Sequence, residues 1–116
     1  MPKKRSHHEF IYHKTNALEI TRQRLAHFNK TYQFKIHKIT IRNQMTRWGS
    51  CSKKGNLNFN YRIILLPMHL LDYVIVHELC HLKEFNHSKH FWDLVAKILP
   101  DYKKVKKEFK KIRFYK

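Results

Sequence analysis

The stretch "VIVHELCHLKEFNHSKHFW", residues 74–92, holds four of the chain's ten histidines within nineteen residues. It continues an apolar run, "MHLLDY", that follows Pro67, a residue suited to the first turn of a helix, and neither Gly nor Pro interrupts the chain from Met68 to Phe85. At about 100° per residue, Leu71, Ile75, Leu79 and Leu82 form one stripe. Leu70, Tyr73, Val74, His77, His81 and Glu84 line a second face. A helix apolar on two sides has to be buried, so this segment is expected to be the core helix against which the rest of the chain packs.

His77 and His81 are four residues apart, so on a helix their imidazoles project from one face and can share one tetrahedral ion. Glu78 lies about 100° further round, beside such an ion, where a carboxylate can take a proton from a water. This is the HExxH pattern, written here as "HELCH". The competing reading is a pair of helix histidines that are merely hydrogen-bonded. Rigid apolar surroundings and the further histidines past the helix end weigh for the metal. Were the helix to run on, His87 would sit roughly 9 Å along the axis from His81 and out of reach. If it stops near Phe85, with Asn86 tolerating a left-handed turn and Ser88 capping a new helix, His87 can swing back. Glu84 and His90 are the rivals for the third position. Cys80 points away from both helix histidines and reads as packing; Cys51, with no partner nearby, reads as a small buried residue.

Working outward, "NALEITRQRLAHFNKTY" has the spacing of an amphipathic helix with Asn16 as N-cap, preceded by a flexible basic leader over residues 1–14. "FKIHKITIRNQ" alternates but changes phase between Ile36 and Ile39, which points to a strand that begins late. "RWGSCS" and "LNFNYRI", joined by the turn-like "KKGN", read as a hairpin, giving a small antiparallel sheet. Beyond Ser88, "KHFWDLVAKIL" is a helix stopped by Pro100, and residues 101–116 read as a last helix. Val105, Phe109 and Ile112 lie on its inner side and its exterior is lysine-rich, with Arg113 among the cations. The fold class expected is α+β, in one domain over residues 1–116.

The chain carries 25 Lys plus Arg against 8 Asp plus Glu, a formal charge of +17. That field attracts polyanions, so nucleic acid is a candidate partner through the basic surface. The 42% hydrophobic content excludes a disordered polycation. Two cysteines are too few for a disulfide-built domain, and no apolar run approaches the roughly 20 residues of a membrane span. A cytoplasmic protein without a membrane association is the expectation.

Taken together, Trp48-Gly49-Ser50-Cys51, Gly55, Asn60, Pro67, Asp72-Tyr73, His77-Glu78, His81, Asn86-His87-Ser88 and Phe91-Trp92 resemble the YgjP-like metallopeptidase family, related to the SprT-like and WLM zinc peptidases. The resemblance runs from Arg47 to Tyr102. It implies a zincin-like minimal domain, one zinc ion on His77, His81 and His87, and Glu78 as general base. The separation of His77, His81 and His87 equals that of metzincins, but Glu84 stands where their Gly would be.

The reading is a zinc-dependent metallopeptidase that hydrolyses a protein or peptide substrate through a zinc-activated water, with Glu78 as catalytic base. Arg47, Trp48 and Tyr73 are candidate substrate contacts, and Tyr73, Arg47 and Arg62 are candidates for stabilising the oxyanion. An extended substrate could pair with a strand edge at residues 47–52 or 57–61. The rival class is a basic nucleic-acid-binding module with a structural zinc, whose fourth ligand would be Glu84 or His90. A peptidase acting on DNA-bound proteins would combine the two.

Overall fold

The computed structural model describes residues 2–44 and 46–112, with side chains from His7 onward. The elements are α1 (Pro2–Tyr32), β1 (Lys38–Arg42), β2 (Gly49–Cys51), β3 (Asn56–Asn60), a 3-10 turn (Tyr61–Leu65), α2 (Met68–His81), α3 (Lys89–Ile98) and α4 (Tyr102–Phe109). The class is α+β, as expected. Of the last expected helix, Arg113 and the residues after it lie outside the described residues.

The first helix is longer than its periodicity predicts. It begins at Pro2 instead of at Asn16, which is exposed in mid-helix, and so takes in the basic leader. The reason is tertiary: Phe10 packs on Tyr61 at 5.7 Å, His13 stacks on the same ring at 6.0 Å, and the Tyr61 hydroxyl donates to Glu9 Oε1 at 3.4 Å. A polar stretch becomes helical because one large buried aromatic ring gives it a surface to lie on.

The sheet is mixed, in the order β1-β3-β2, and this corrects the all-antiparallel expectation. β2 and β3 form the expected hairpin, closed by Gly55 at φ 89, with its amide donating to the Ser52 carbonyl at 3.0 Å. β1 instead runs parallel to β3, with Ile39 opposite Leu57 and Ile41 opposite Phe59. The segment between β1 and β2 has to cross the end of the sheet, and Asn60 secures it. This side chain is fully buried; its amide donates to the carbonyls of Gln44 (2.7 Å) and Arg47 (3.0 Å), while its oxygen accepts from the Arg62 amide (3.0 Å).

α2 is the buried helix that its two apolar faces require. Val74, Ile75, Val76, Leu79 and Cys80 are at most 3% exposed, packed with Leu25 and Phe28 of α1, Leu57 and Phe59 of β3, and Phe91 and Val95 of α3. On its other side Leu70 and Tyr73 meet Val105 and Phe109, which seats α4 on α2. A two-pronged ion pair from Arg24 to Asp72, both contacts 2.8 Å, ties α1 to α2. No described helix is long and apolar enough to cross a membrane.

Asn60→Ala removes the buried side chain that donates to the Gln44 and Arg47 carbonyls and caps the 3-10 turn. We expect a stability loss of about 2–4 kcal/mol by urea unfolding. A loss below about 0.5 kcal/mol would show that the crossing segment is held by other contacts.

Candidate metal centre

α2 ends at His81 in a tightened turn, with Leu82 N–H donating to the Leu79 carbonyl and Lys83 N–H to that of Cys80. Asn86 is not left-handed: among the described non-glycine residues only Gln33 has a positive φ. Ser88 occupies the expected N-cap position of α3, but its hydroxyl makes no capping bond. The reversal is fixed instead by His81, whose Nδ1 lies 2.9 Å from the Glu84 carbonyl. A carbonyl can only accept, so Nδ1 carries the proton and the lone pair sits on Nε2.

That Nε2 faces two others. His81 Nε2 is 3.2 Å from His77 Nε2 and 3.0 Å from His87 Nε2, and the last two are 3.2 Å apart. The triangle of ring nitrogens forms a group able to hold one metal ion. The fit is close to what a tetrahedral site demands, since M–N distances of 2.0–2.1 Å place neighbouring nitrogens about 3.3 Å apart. Protonation opposes the same arrangement: burial, followed by the charges of His81, His87 and Lys106, pushes His77 down to about 3, and burial also lowers His81. Neutral rings with converging lone pairs are what a cation needs. His77 Nδ1 is buried with no hydrogen-bond partner among the described residues, so the pocket leaves that ring's outer nitrogen unsatisfied.

Phe91 and Trp92 of α3 form the platform for the triad. The His81 ring stacks on Phe91 at 4.4 Å, His77 and His87 meet Phe91 edge-on at 5.1 and 5.0 Å, and His87 stacks on Trp92 at 5.9 Å. The rivals for the third position do not join. Glu84 contributes its backbone carbonyl, and exposed His90 is outside the group. Cys80 is fully buried and apart from it, as its helical position implies. Cys51 departs from expectation: it is half-buried and lines the cleft, because β2 is an edge strand.

Glu78 is 8% exposed and faces the same cleft. Burial raises its carboxyl to about 7, with the Arg47 guanidinium offsetting this in part. Its neighbour is Gly49: a Cβ there would fall 3.0 Å from Glu78 Cγ, 3.3 Å from its Oε2 and 3.0 Å from the Asn58 carbonyl. β2 therefore passes directly against the carboxylate, and a glycine permits that approach.

The cleft has a volume of about 550 Å³, with Arg47, Trp48 and Tyr73 among its lining residues. Arg62 is not part of it. Its guanidinium donates to the Gln44 carbonyl at 3.1 Å and lies 4.5 Å from the Tyr61 ring centre, so it supports the fold. Of the two strand edges considered for a substrate, residues 57–60 lie in the central strand, paired on both sides, which leaves β2. Sequence reasoning missed Lys106, Phe109 and Lys110, which come to the cleft from α4, and Phe85 from the turn. It also missed the closeness of Gly49 to Glu78, although a glycine inside a strand pattern is a signal of close approach.

The buried carboxyl has a measurable cost. In metal-free protein Glu78 titrates at about 7 when folded against 4.5 ordinarily. Below about pH 4.5 the group is protonated in both states and costs nothing; the penalty grows as pH rises to about 7 and is complete above it, at up to about 3 kcal/mol. Metal-free Glu78→Gln should therefore exceed metal-free wild type in urea stability by little at about pH 5 and by up to about 3 kcal/mol at about pH 8. An equal difference at both pH values would mean that Glu78 is not desolvated as described.

Residues 2–112 match the family described as YgjP-like, metallopeptidase domain. A search of curated proteins gives no match. Among solved structures, the chain is similar to the metallopeptidase zymogen abylysin of Pyrococcus abyssi. Identity is 24% and the TM-score 0.68, covering 76% of this chain and 90% of that one. It is also similar to the metallopeptidase zymogen jannalysin of Methanocaldococcus jannaschii, with 19% identity and TM-score 0.69 over 78% and 94% of the two chains. These likenesses establish a shared fold, and the match over nearly its whole length shows that the chain belongs to the YgjP-like metallopeptidase family.

Proposed function

We propose that the chain is a zinc peptidase in which His77, His81 and His87 hold the ion and Glu78 is the general base. The observation that carries this reading is the meeting of three Nε2 atoms within 3.0–3.2 Å beside a buried carboxyl. When bound, zinc supplies Lewis acidity at a position the three imidazoles leave open.

Glu78, buried beside the triad and lining the same cleft, takes the proton from the attacking water and delivers it to the leaving amine. Tyr73 lines the same cleft with its ring 5.8 Å from that of His77. Burial, and then the Glu78 charge, push its phenol up to about 12, so it keeps its proton at neutral pH and can donate to the developing oxyanion. An extended substrate adds to the outer edge of β2, which among the described residues pairs only with β3. Arg47 and Trp48 precede that edge and line the cleft.

A structural zinc site would require a fourth protein ligand, and neither the Glu84 carboxylate nor His90 stands with the triad. The metal-binding nucleic-acid module is therefore the weaker reading.

Purified protein should contain about one zinc per chain. Glu78→Gln should keep that zinc while losing peptide hydrolysis by at least about 100-fold. Zinc content by plasma emission spectrometry and cleavage of a quenched fluorescent peptide measure the two; hydrolysis undiminished in Glu78→Gln would remove Glu78 as the base. Gly49→Ala should also retain zinc, because the nearest atoms to its Cβ belong to Glu78 and the Asn58 carbonyl, yet lower kcat by about tenfold or more through displacement of the carboxylate. An unchanged kcat would show that Glu78 has room to shift.

A further inference from the structure

The catalytic cleft does not end at the metal centre. Three cations, Arg47, Lys106 and Lys110, line it, and Glu78 is the only acidic group among the lining residues. A second groove of about 390 Å³ is walled by Trp92 and Tyr102 and lined by Lys103, Lys106, Lys107 and Lys110. Lys106 and Lys110 line both, so the groove adjoins the cleft on its α4 side.

The placement of these cations follows from how α4 docks. Val105 and Phe109 face α2, which turns Lys103, Lys107 and Lys110 to solvent. Lys106 is half-buried with its ammonium 4.3 Å from the Trp92 ring centre. Among the described residues none of these four lysines has an acidic partner; the one nearby ion pair of α4, from Glu108, goes to His69. A row of uncompensated cations beside a cleft is electrostatically costly in the empty protein and is relieved by anionic groups placed along it.

We infer that this cation-lined side of the cleft selects peptide substrates carrying Asp or Glu on one side of the bond to be cut. The inference rests on the peptidase reading above and names its substrate class. A peptide is favoured over nucleic acid for two reasons. The cations of α4 and the β2 edge line the same cleft, so a peptide paired with that edge lies within reach of the lysines. The groove's aromatic rings are also already engaged: Tyr102 stacks on Trp92 at 4.9 Å and 12°, and His87 and Lys106 take further contacts on the same indole. That arrangement leaves little ring face for stacking a base, which is the usual means of holding a single strand.

The test is binding to zinc-loaded Glu78→Gln, followed by fluorescence anisotropy with a short labelled peptide rich in Asp and Glu, its Asn/Gln counterpart, and a labelled single-stranded oligonucleotide. The acidic peptide should bind at least about tenfold more tightly than the neutral one. Lys103→Glu/Lys107→Glu should remove that advantage, whereas Lys35→Glu/Lys54→Glu, an equal charge change at exposed lysines lining a separate pocket, should leave it within about twofold. Equal weakening by both pairs would reduce the effect to the overall +17 field and overturn the inference. Stronger oligonucleotide binding that only the α4 pair abolishes would overturn it in favour of nucleic acid. Cleavage by the wild type separates the two claims. Glu78-dependent hydrolysis with no acidic preference sinks the substrate class alone, and acidic-peptide binding without hydrolysis sinks the peptidase reading alone.

Discussion

The bond between His81 Nδ1 and the Glu84 carbonyl is the constraint on which the metal centre depends. It is a local contact, three residues along the chain, yet it acts at two levels. It pins the turn that ends α2, and so the distance from which His87 returns. It also sets the proton on the outer nitrogen of His81, so that the inner one offers a lone pair. Phe91 then supports all three rings from α3, and its complete burial means that the platform moves only if the core moves.

A second constraint opposes stability. Glu78 is carried into the cleft by a helix that is otherwise mostly apolar and buried, and its carboxyl is desolvated with only partial help from Arg47. The same burial that raises its carboxyl makes it costly in the metal-free fold. Gly49 keeps β2 against that carboxylate, and Asn60 holds the segment leading into β2. The sheet edge and Glu78 thus depend in part on Asn60, which does not line the cleft.

Much of this was legible in the residues. The unbroken run from Met68, the four-residue spacing of His77 and His81, and the turn at "FNHS" together lead to a buried helix with a returning third imidazole. The means of return was not legible, because a backbone carbonyl leaves no mark in a sequence: Asn86 is an obvious candidate for a left-handed turn and is not one. Two larger departures have the same origin. The parallel pairing of β1 depends on a crossing segment secured by the buried amide of Asn60, and the helicity of the leader depends on Tyr61 some fifty residues away. Local pattern reports which residues seek burial, whereas these features were decided by what they met there. The lysines of α4 belong with them, since a solvated face and a cleft wall look alike until the helix is docked.

X-ray absorption at the zinc edge of the loaded protein tests the central claim most directly, because it counts ligands without reference to activity. The account predicts a first shell of nitrogen and oxygen at about 2.0–2.1 Å with outer-shell scattering from three imidazoles and one non-protein oxygen. A sulfur contribution near 2.3 Å, or a fourth imidazole, would contradict it.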